Sequence, residues 1–492
     1  MLTAQEIKTF IDNDAASKKK QFARVGQRYY EADHDIRLFR IFYVDANRNV
    51  QEDKTKNNIK ISHPFYTELV DQAVQYMLSG KDGFIKSDNP DLQSELDEYF
   101  NDNEDFMAEL YEVLTGCIAK GMEYAYAYKT KDGKTAFQCA DSIGVVEVKA
   151  KETDDHCDYV IYWYVDRIGK DNKQIKRIQV WDDRQIHFFV QEDDGKIIPD
   201  DAQEINPRPH IIFNKSGDQK TYFEGFGFIP FFRLDNNRKQ FSDLKAIKDL
   251  IDDYDLMACG LSNNIQDAAE VLWAVKGFEG DNLDEMIMNI KAKHHIGLTE
   301  GGDVELKTID IPYQARQAKL ELDEKNIYRF GMGFNSAQLG DGNITNIVIK
   351  SRYALLDLKC NKLEIRLKQF MRKLLKVVLD EINAENGTDY QQKDVYFDFE
   401  REVMTNAADN AQIELTDAQR RQVEINTIMS LQTVVGDDTR LRLIAEQLDI
   451  DFDELKADAP TPEADPASVY PAKAALAQVP TEETPAEGDL IE

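Results

Sequence analysis

What this chain has little of narrows it first. Only five cysteines occur in 492 residues (Cys117, Cys139, Cys157, Cys259 and Cys360), none closer than 18 residues to the next. Without a CxxC pair, neither a zinc ribbon nor a disulfide framework is indicated. No run of about 18 apolar residues occurs, so no transmembrane helix is expected. Basic charge is scarce: 60 Lys and Arg against 91 Asp and Glu leave a formal net charge of -31 and a pI near 4.7. That balance argues against ordinary tight binding of nucleic acid, which needs a net basic face. The amino end, MLTAQEIKTFIDNDAASKKKQ, is an amphipathic stretch followed by lysines. It lacks the charged-then-apolar order of a signal peptide, so synthesis in a cytoplasm is expected.

Catalytic signatures are equally scarce. The sequence holds no GxxxxGK[ST], no GxSxG and no HExxH. GFGFIP at 225–230 has two glycines but neither the third nor the following helix of a dinucleotide fingerprint. His294 and His295 are adjacent and point apart on any regular element, and His156-Cys157 in ETDDHCDY reads as a solvated turn. Asp249, Asp252, Asp253 and Asp255 resemble the carboxylate cluster of a nuclease. On a helix, Asp252 and Asp255 face away from the apolar stripe while Asp249 and Asp253 share one side, which reads as a solvated or channel-facing surface. No catalytic, cofactor or metal site is assigned.

What is present is ample core material, 42% hydrophobic, in a pattern that changes along the chain. Residues 1–120 read as helical, with Phe65, Leu69, Ala73 and Met77 at helical spacing after His63-Pro64. Residues 121–230 read as β: MEYAYAYKT and TAFQC make a hairpin about Asp132-Gly133, then CDYVIYWYV, RIQVW, QIHFFV and KIIP form a meander that Pro230 closes. A helix is expected over 242–269, capped by Ser242. A small insert spans 270–312: strand VLWAVKG, helix NLDEMIMNIKA, strand DVELKTIDI. Asp310 and Pro312 then open a helix through Phe330. A glycine-bearing loop leads into a long helix whose Leu356, Cys360, Leu363, Leu367, Phe370, Leu374, Val378 and Ile382 form one stripe. Unbroken from Asn346 to Asn386, it would run about 60 Å, with Gly387 as its stop. DVYFDFER is a further strand, and helices follow near 406–433 and 438–449. Residues 459–492 hold six of the thirteen prolines, which predicts a disordered tail.

The long helix concentrates positive charge. Residues 350–376 carry Lys350, Arg352, Lys359, Lys362, Arg366, Lys368, Arg372, Lys373 and Lys376 against Asp357 and Glu364. Two readings stand: the cations pair with acids such as Asp243 to Asp255 of a neighbouring element or subunit, or they face a polyanion.

Three stretches carry a family resemblance. RYYEADHDI (28–36), NNIKISHPFYTELVDQAVQYMLSG (57–80) and FIPFFRLDNNRKQFSDLKAIKDLIDDYD (228–255) resemble, in combination, segments of the portal (head-to-tail connector) proteins of tailed bacteriophages of the siphophage type. Ala32 stands where that family usually has Gly. The resemblance covers about 20–450 and implies an α+β fold: an elongated, multi-part subunit with long helices and a β-rich wing layer. It implies an N-terminal region and wing over 1–240, stem helices at 241–269 and 313–333, and a clip at 270–312 between them. A tunnel loop would span 334–346, the long wing helix plus strand 347–404, a helical crown 405–450 and an acidic, Pro-rich tail 451–492.

The implied function is a ring at one capsid vertex, usually of about twelve subunits, through which DNA is packaged and ejected. The implied partners are other copies of the chain, double-stranded DNA passing without sequence specificity, the terminase large subunit, head-tail adaptors, and the major capsid and scaffold proteins. No membrane and no cofactor are involved, and the location is the virion, with host cytoplasm during assembly. Gln338, Leu339, Gly340, Asp341, Gly342, Asn343 and Ile344 would then project into the channel. Lys350, Arg352, Lys359, Lys362, Arg366 and Lys368 would face subunit neighbours or DNA, and Asp249, Asp252, Asp253 and Asp255 would form an acidic stem face. The apolar stripe of the long helix would be partly buried between subunits. The rival readings are another structural virion protein (tail adaptor or scaffold) and a metal-dependent DNA-processing enzyme.

Overall fold

The computed structural model describes residues 1–45, 47–54, 56–80, 83–130, 132–151, 154, 156–168, 173–192, 195–214, 221–268, 272–278, 286, 298–307, 313–335, 346–402, 407–431, 435–448 and 452. Helices and antiparallel sheets are mixed, an α+β arrangement. The chain divides into two compact units, Met1–Met404 and Thr405–Glu492.

Local chemistry sets the helix ends of the first unit. Thr3 opens α1 (Ala4–Ala16) with a capping box: the Glu6 amide donates to its hydroxyl, and its own amide donates to the Glu6 carboxylate at 2.8 Å. Ser17 caps α2 (Lys18–Tyr30). Pro64 precedes α3 (Phe65–Met77), and Asn89 caps α4 (Pro90–Leu96), which takes its proline at the first helical position. Asn103 caps α5 (Glu104–Lys120), and Gly121 ends it at φ +97°. A Cβ there would sit 2.6 Å from the Gln240 carbonyl oxygen, so both backbone and space demand glycine.

Two sheets follow. Met122–Lys129 and Thr135–Ala140 make the hairpin expected at Asp132-Gly133. Phe231–Asp235 pairs along the other edge of Met122–Lys129. Pro230 therefore introduces a strand rather than ending one. Its missing N–H costs nothing at a strand start, and its carbonyl accepts from the Ala127 amide at 2.9 Å. The second sheet is the meander: Ile197–Pro199, Gln185–Gln191, Lys173–Trp181, Tyr159–Ile168 and Val145–Val148 in spatial order, with Arg208–Pro209 also on Gln185–Gln191. Period-two alternation gives it two apolar faces. Ile161, Ile178 and Phe189 pack with Ile7 and Ile11 of α1, while Val160, Trp181 and Phe188 pack with Tyr124.

After a short 3-10 turn, α6 (Lys248–Ala268) and α7 (Tyr313–Gly331) pack together. Between them Leu272–Phe278 pairs antiparallel with Leu298–Lys307. The expected insert helix lies almost wholly outside the described residues, as do Asp310 and Pro312.

The long helix α8 (Asn346–Asn386) is unbroken over 41 residues, and Gly387 follows it at φ +66°. All eight residues of its predicted stripe are 4% exposed or less. They lie in the largest core cluster of the chain, with Tyr66, Leu69 and Ala73 of α3, Leu114 of α5 and Leu234. This corrects the expectation that the stripe is shared between subunits: it is the subunit's own core. Tyr396–Phe397 pairs with Ile85–Lys86 beside it. In the second unit, α9 (Ala407–Ser430) packs on α10 (Asp437–Leu448).

Leu363→Asp would place an uncompensated carboxylate in that core, at a cost on the order of 4 kcal/mol. The expected result is a lowered melting temperature and loss of soluble protein, read by thermal unfolding. An unchanged melting temperature would contradict the packing.

Candidate functional site: the α6 carboxylates and the cationic face of α8

The four α6 acids do not share one solvated face. Asp252 accepts from the Tyr29 hydroxyl of α2 and from Lys248 Nζ at 2.6 Å, and Lys248 also reaches Asp35 at 2.7 Å. Burial works against the Lys248 charge, yet these hydrogen bonds hold its pKa above the ordinary lysine value. Asp253 accepts from Lys319 of α7 at 2.5 Å, and Lys319 also pairs with Asp323.

Asp255 departs most from the expectation, because its side chain is fully buried. One oxygen lies 2.6 Å from His34 Nδ1. The other accepts from the His63 amide at 3.0 Å and lies 2.7 Å from His63 Nδ1. The His34 ring stacks on Tyr29 with centroids 4.5 Å apart. Burial alone would push the Asp255 carboxyl up. The hydrogen bonds from His34 and His63 outweigh it and hold the pKa below the usual carboxylate value. Asp249 is exposed and has no ion pair among the described residues.

These contacts tie α6 to α2, α7 and the segments around 34 and 63. Three of the four carboxylates are thus committed to protein cations, a tyrosine and histidines. Among the described residues, no group of His, Cys, Asp and Glu is arranged to hold a metal ion. His34 and His63 were not singled out as site residues from sequence, although each lies inside one of the three resembling stretches. His156 is exposed on its turn beside the half-buried Cys157, and His294 and His295 lie outside the described residues.

The cations of α8 separate into two groups. Lys359 is fixed inside the chain, 3.0 Å from Asp243 and 3.4 Å from the Gly331 carbonyl oxygen. Lys368 pairs with Glu364 at 2.7 Å. Asp357 and Glu364 of the helix are further engaged by Arg401, which lies 2.9 Å from Asp357 and also pairs with Glu364. Arg352 is half-buried, and its Nη1 has no hydrogen-bond partner among the described residues. Lys350 and Lys362 are exposed and Arg366 half-buried, and none has an ion pair among the described residues. The same holds for Arg372, Lys373 and Lys376, which line an open cleft of about 1070 Å³ together with Arg233, Phe228 and Ile229. Gln338 to Ile344 lie outside the described residues.

The family model described as phage portal protein, SPP1 Gp6-like, matches residues 9–451. The chain belongs to the phage portal protein family. Two relatives carry the name portal protein. That of Bacillus phage SPP1 is 27% identical over 348 residues, covering 70% of this chain and 67% of the relative. That of Clostridium phage phiCD119 is 25% identical over 427 residues, covering 83% and 88%. The portal family is structural, and its members are virion capsid components. The matched span takes in α6, the insert, α7 and α8 together.

Asp255→Asn removes the charge that both histidines address, at an expected cost of about 2–4 kcal/mol at neutral pH. Because the folded-state pKa is depressed, this stability is present above the ordinary carboxylate value of 3.8 and is lost as pH falls through the folded value. Chemical denaturation should therefore show a wild-type advantage that is widest near pH 7 and closes on acidification below about 4. A gap that does not change with pH would contradict a charged Asp255.

Proposed function

We propose that copies of this chain close into a ring at one capsid vertex, usually of about twelve subunits. The ring is the channel for DNA packaging and ejection. It docks the terminase large subunit during packaging and head-tail adaptors afterwards, within the shell of major capsid and scaffold proteins. The observation that carries this reading is the family match over 9–451, spanning the two packed helices, their insert and the long helix. Assembly takes place in the host cytoplasm.

In this reading α6 and α7 are the stem, 270–312 the clip, 334–346 the tunnel loop, 1–240 with α8 the wing, and 405–450 the crown. Physical chemistry supports the division of charge. A channel that passes DNA must not hold it, and a chain at -31 presents phosphates with a repelling wall. Lys350, Lys362 and Arg366 of α8, which have no ion pair among the described residues, then either register neighbouring subunits or face the duplex.

Light scattering and negative-stain class averages of the purified protein should show a closed ring with a central hole. A protein that stays monomeric alone and with its capsid partners would overturn the reading. Lys362→Glu with Arg366→Glu should leave the subunit folded and either shift rings toward monomers or leave rings that retain packaged DNA poorly. The first outcome assigns the cations to subunit pairing and the second to DNA. Normal rings with normal retention would make both residues mere solvated surface.

A further inference from the structure

Helix α8 carries two apolar stripes, and the chain buries one of them. Opposite the core stripe, Val348, Leu355, Leu358 and Ile365 are 41%, 40%, 59% and 64% exposed. Their steps of seven, three and seven are those of a packing seam between elements. At about 100° per residue the two stripes point roughly 140° apart, so both cannot serve one core. The outer stripe runs about 26 Å along the helix. Single exposed apolar residues are ordinary, but four aligned on one face mark an interaction surface.

The surroundings of the stripe restrict its occupant. Lys362 and Arg366 flank its Ile365 end, and Arg372, Lys373 and Lys376 carry the charge onward, all without an ion pair among the described residues. An occupant must therefore combine apolar side chains with acids. Duplex DNA offers phosphates but nothing that gains from Leu and Ile along its backbone. A second copy of this chain offers both. It carries a large excess of acid, and its Asp249 is exposed without an ion pair among the described residues. A closed ring also requires head-to-tail contacts between two different patches of the same subunit.

We propose that the outer stripe of α8 is the seat of the neighbouring copy of this chain. Val348, Leu355, Leu358 and Ile365 bury against apolar side chains of the next subunit, and Lys362 and Arg366 face its acids. The proposal rests on the ring reading above and names the surface that closes the ring.

The test is Leu358→Glu with Ile365→Glu in the full-length chain, beside the conservative pair Leu358→Met with Ile365→Val. Both positions are exposed in the subunit, so circular dichroism and the unfolding midpoint of the dissociated protein should stay near wild type. In mass photometry or light scattering, the glutamate pair should remain monomeric at concentrations at least ten-fold above those that close wild-type rings. The conservative pair should close normally. Rings of normal mass from the glutamate pair overturn the proposal. Normal rings that fail only in adaptor attachment or DNA retention overturn it equally, because the face then serves another partner. A wild-type chain that never closes a ring removes the reading beneath the proposal, an outcome distinct from the other two.

Discussion

The structure of the first unit depends on the burial of one face of α8. Leu356, Cys360, Leu363, Leu367, Phe370, Leu374, Val378 and Ile382 run the helix through the core formed by α3, α5 and the three-stranded sheet. A helix of 41 residues has little reason to remain continuous from propensity alone, and tertiary burial of its stripe holds it. Everything else about the helix is set by that commitment. Once one side is fixed inward, the rotation is fixed, and Val348, Leu355, Leu358 and Ile365 have to point outward. The cations are sorted by the same rotation: Lys359 turns toward Asp243 and the end of α7, while Lys362 and Arg366 find no acid within the described subunit.

Around this core, the α6 carboxylates act as anchors. Asp252, Asp253 and Asp255 each address a different neighbour, so the helix is tied at three points within one turn. Desolvating Asp255 costs free energy that donors on two separate segments offset. Such an arrangement is better suited to fixing the angle of a helix than to chemistry. A nuclease-like cluster would need its carboxylates to converge on a shared space, and these diverge.

Much of this was legible in the sequence where local rules act. The limits of α8 follow from its stripe and from Gly387, and the hairpin at Asp132-Gly133 follows from turn chemistry. Pro230 misled because a proline breaks a helix but is harmless at a strand start, and only the pairing with Met122–Lys129 reveals which applies. Asp255 was beyond local reasoning. Its partners are 221 and 192 residues away in sequence, and an acid on a polar helix face reads as solvated until those histidines arrive. The outer stripe of α8 was hidden for a different reason. One apolar stripe already satisfies the pattern of an amphipathic helix, and four further apolar residues interleaved with lysines add no second signal.

The distribution of charge gives the portal reading its physical sense. An acidic subunit repels its own copies as well as DNA, so a ring of such subunits needs local compensation where they meet. Cations placed beside an apolar seam provide it economically: the seam supplies association, the cations remove like-charge repulsion at the contact and set the register, and the rest of the surface stays negative. A purely electrostatic interface would weaken as salt rises to screen it, whereas a purely apolar one would leave orientation poorly defined. If the outer face of α8 seats the neighbouring subunit, it combines the two on one continuous helix whose opposite side is buried in the subunit core.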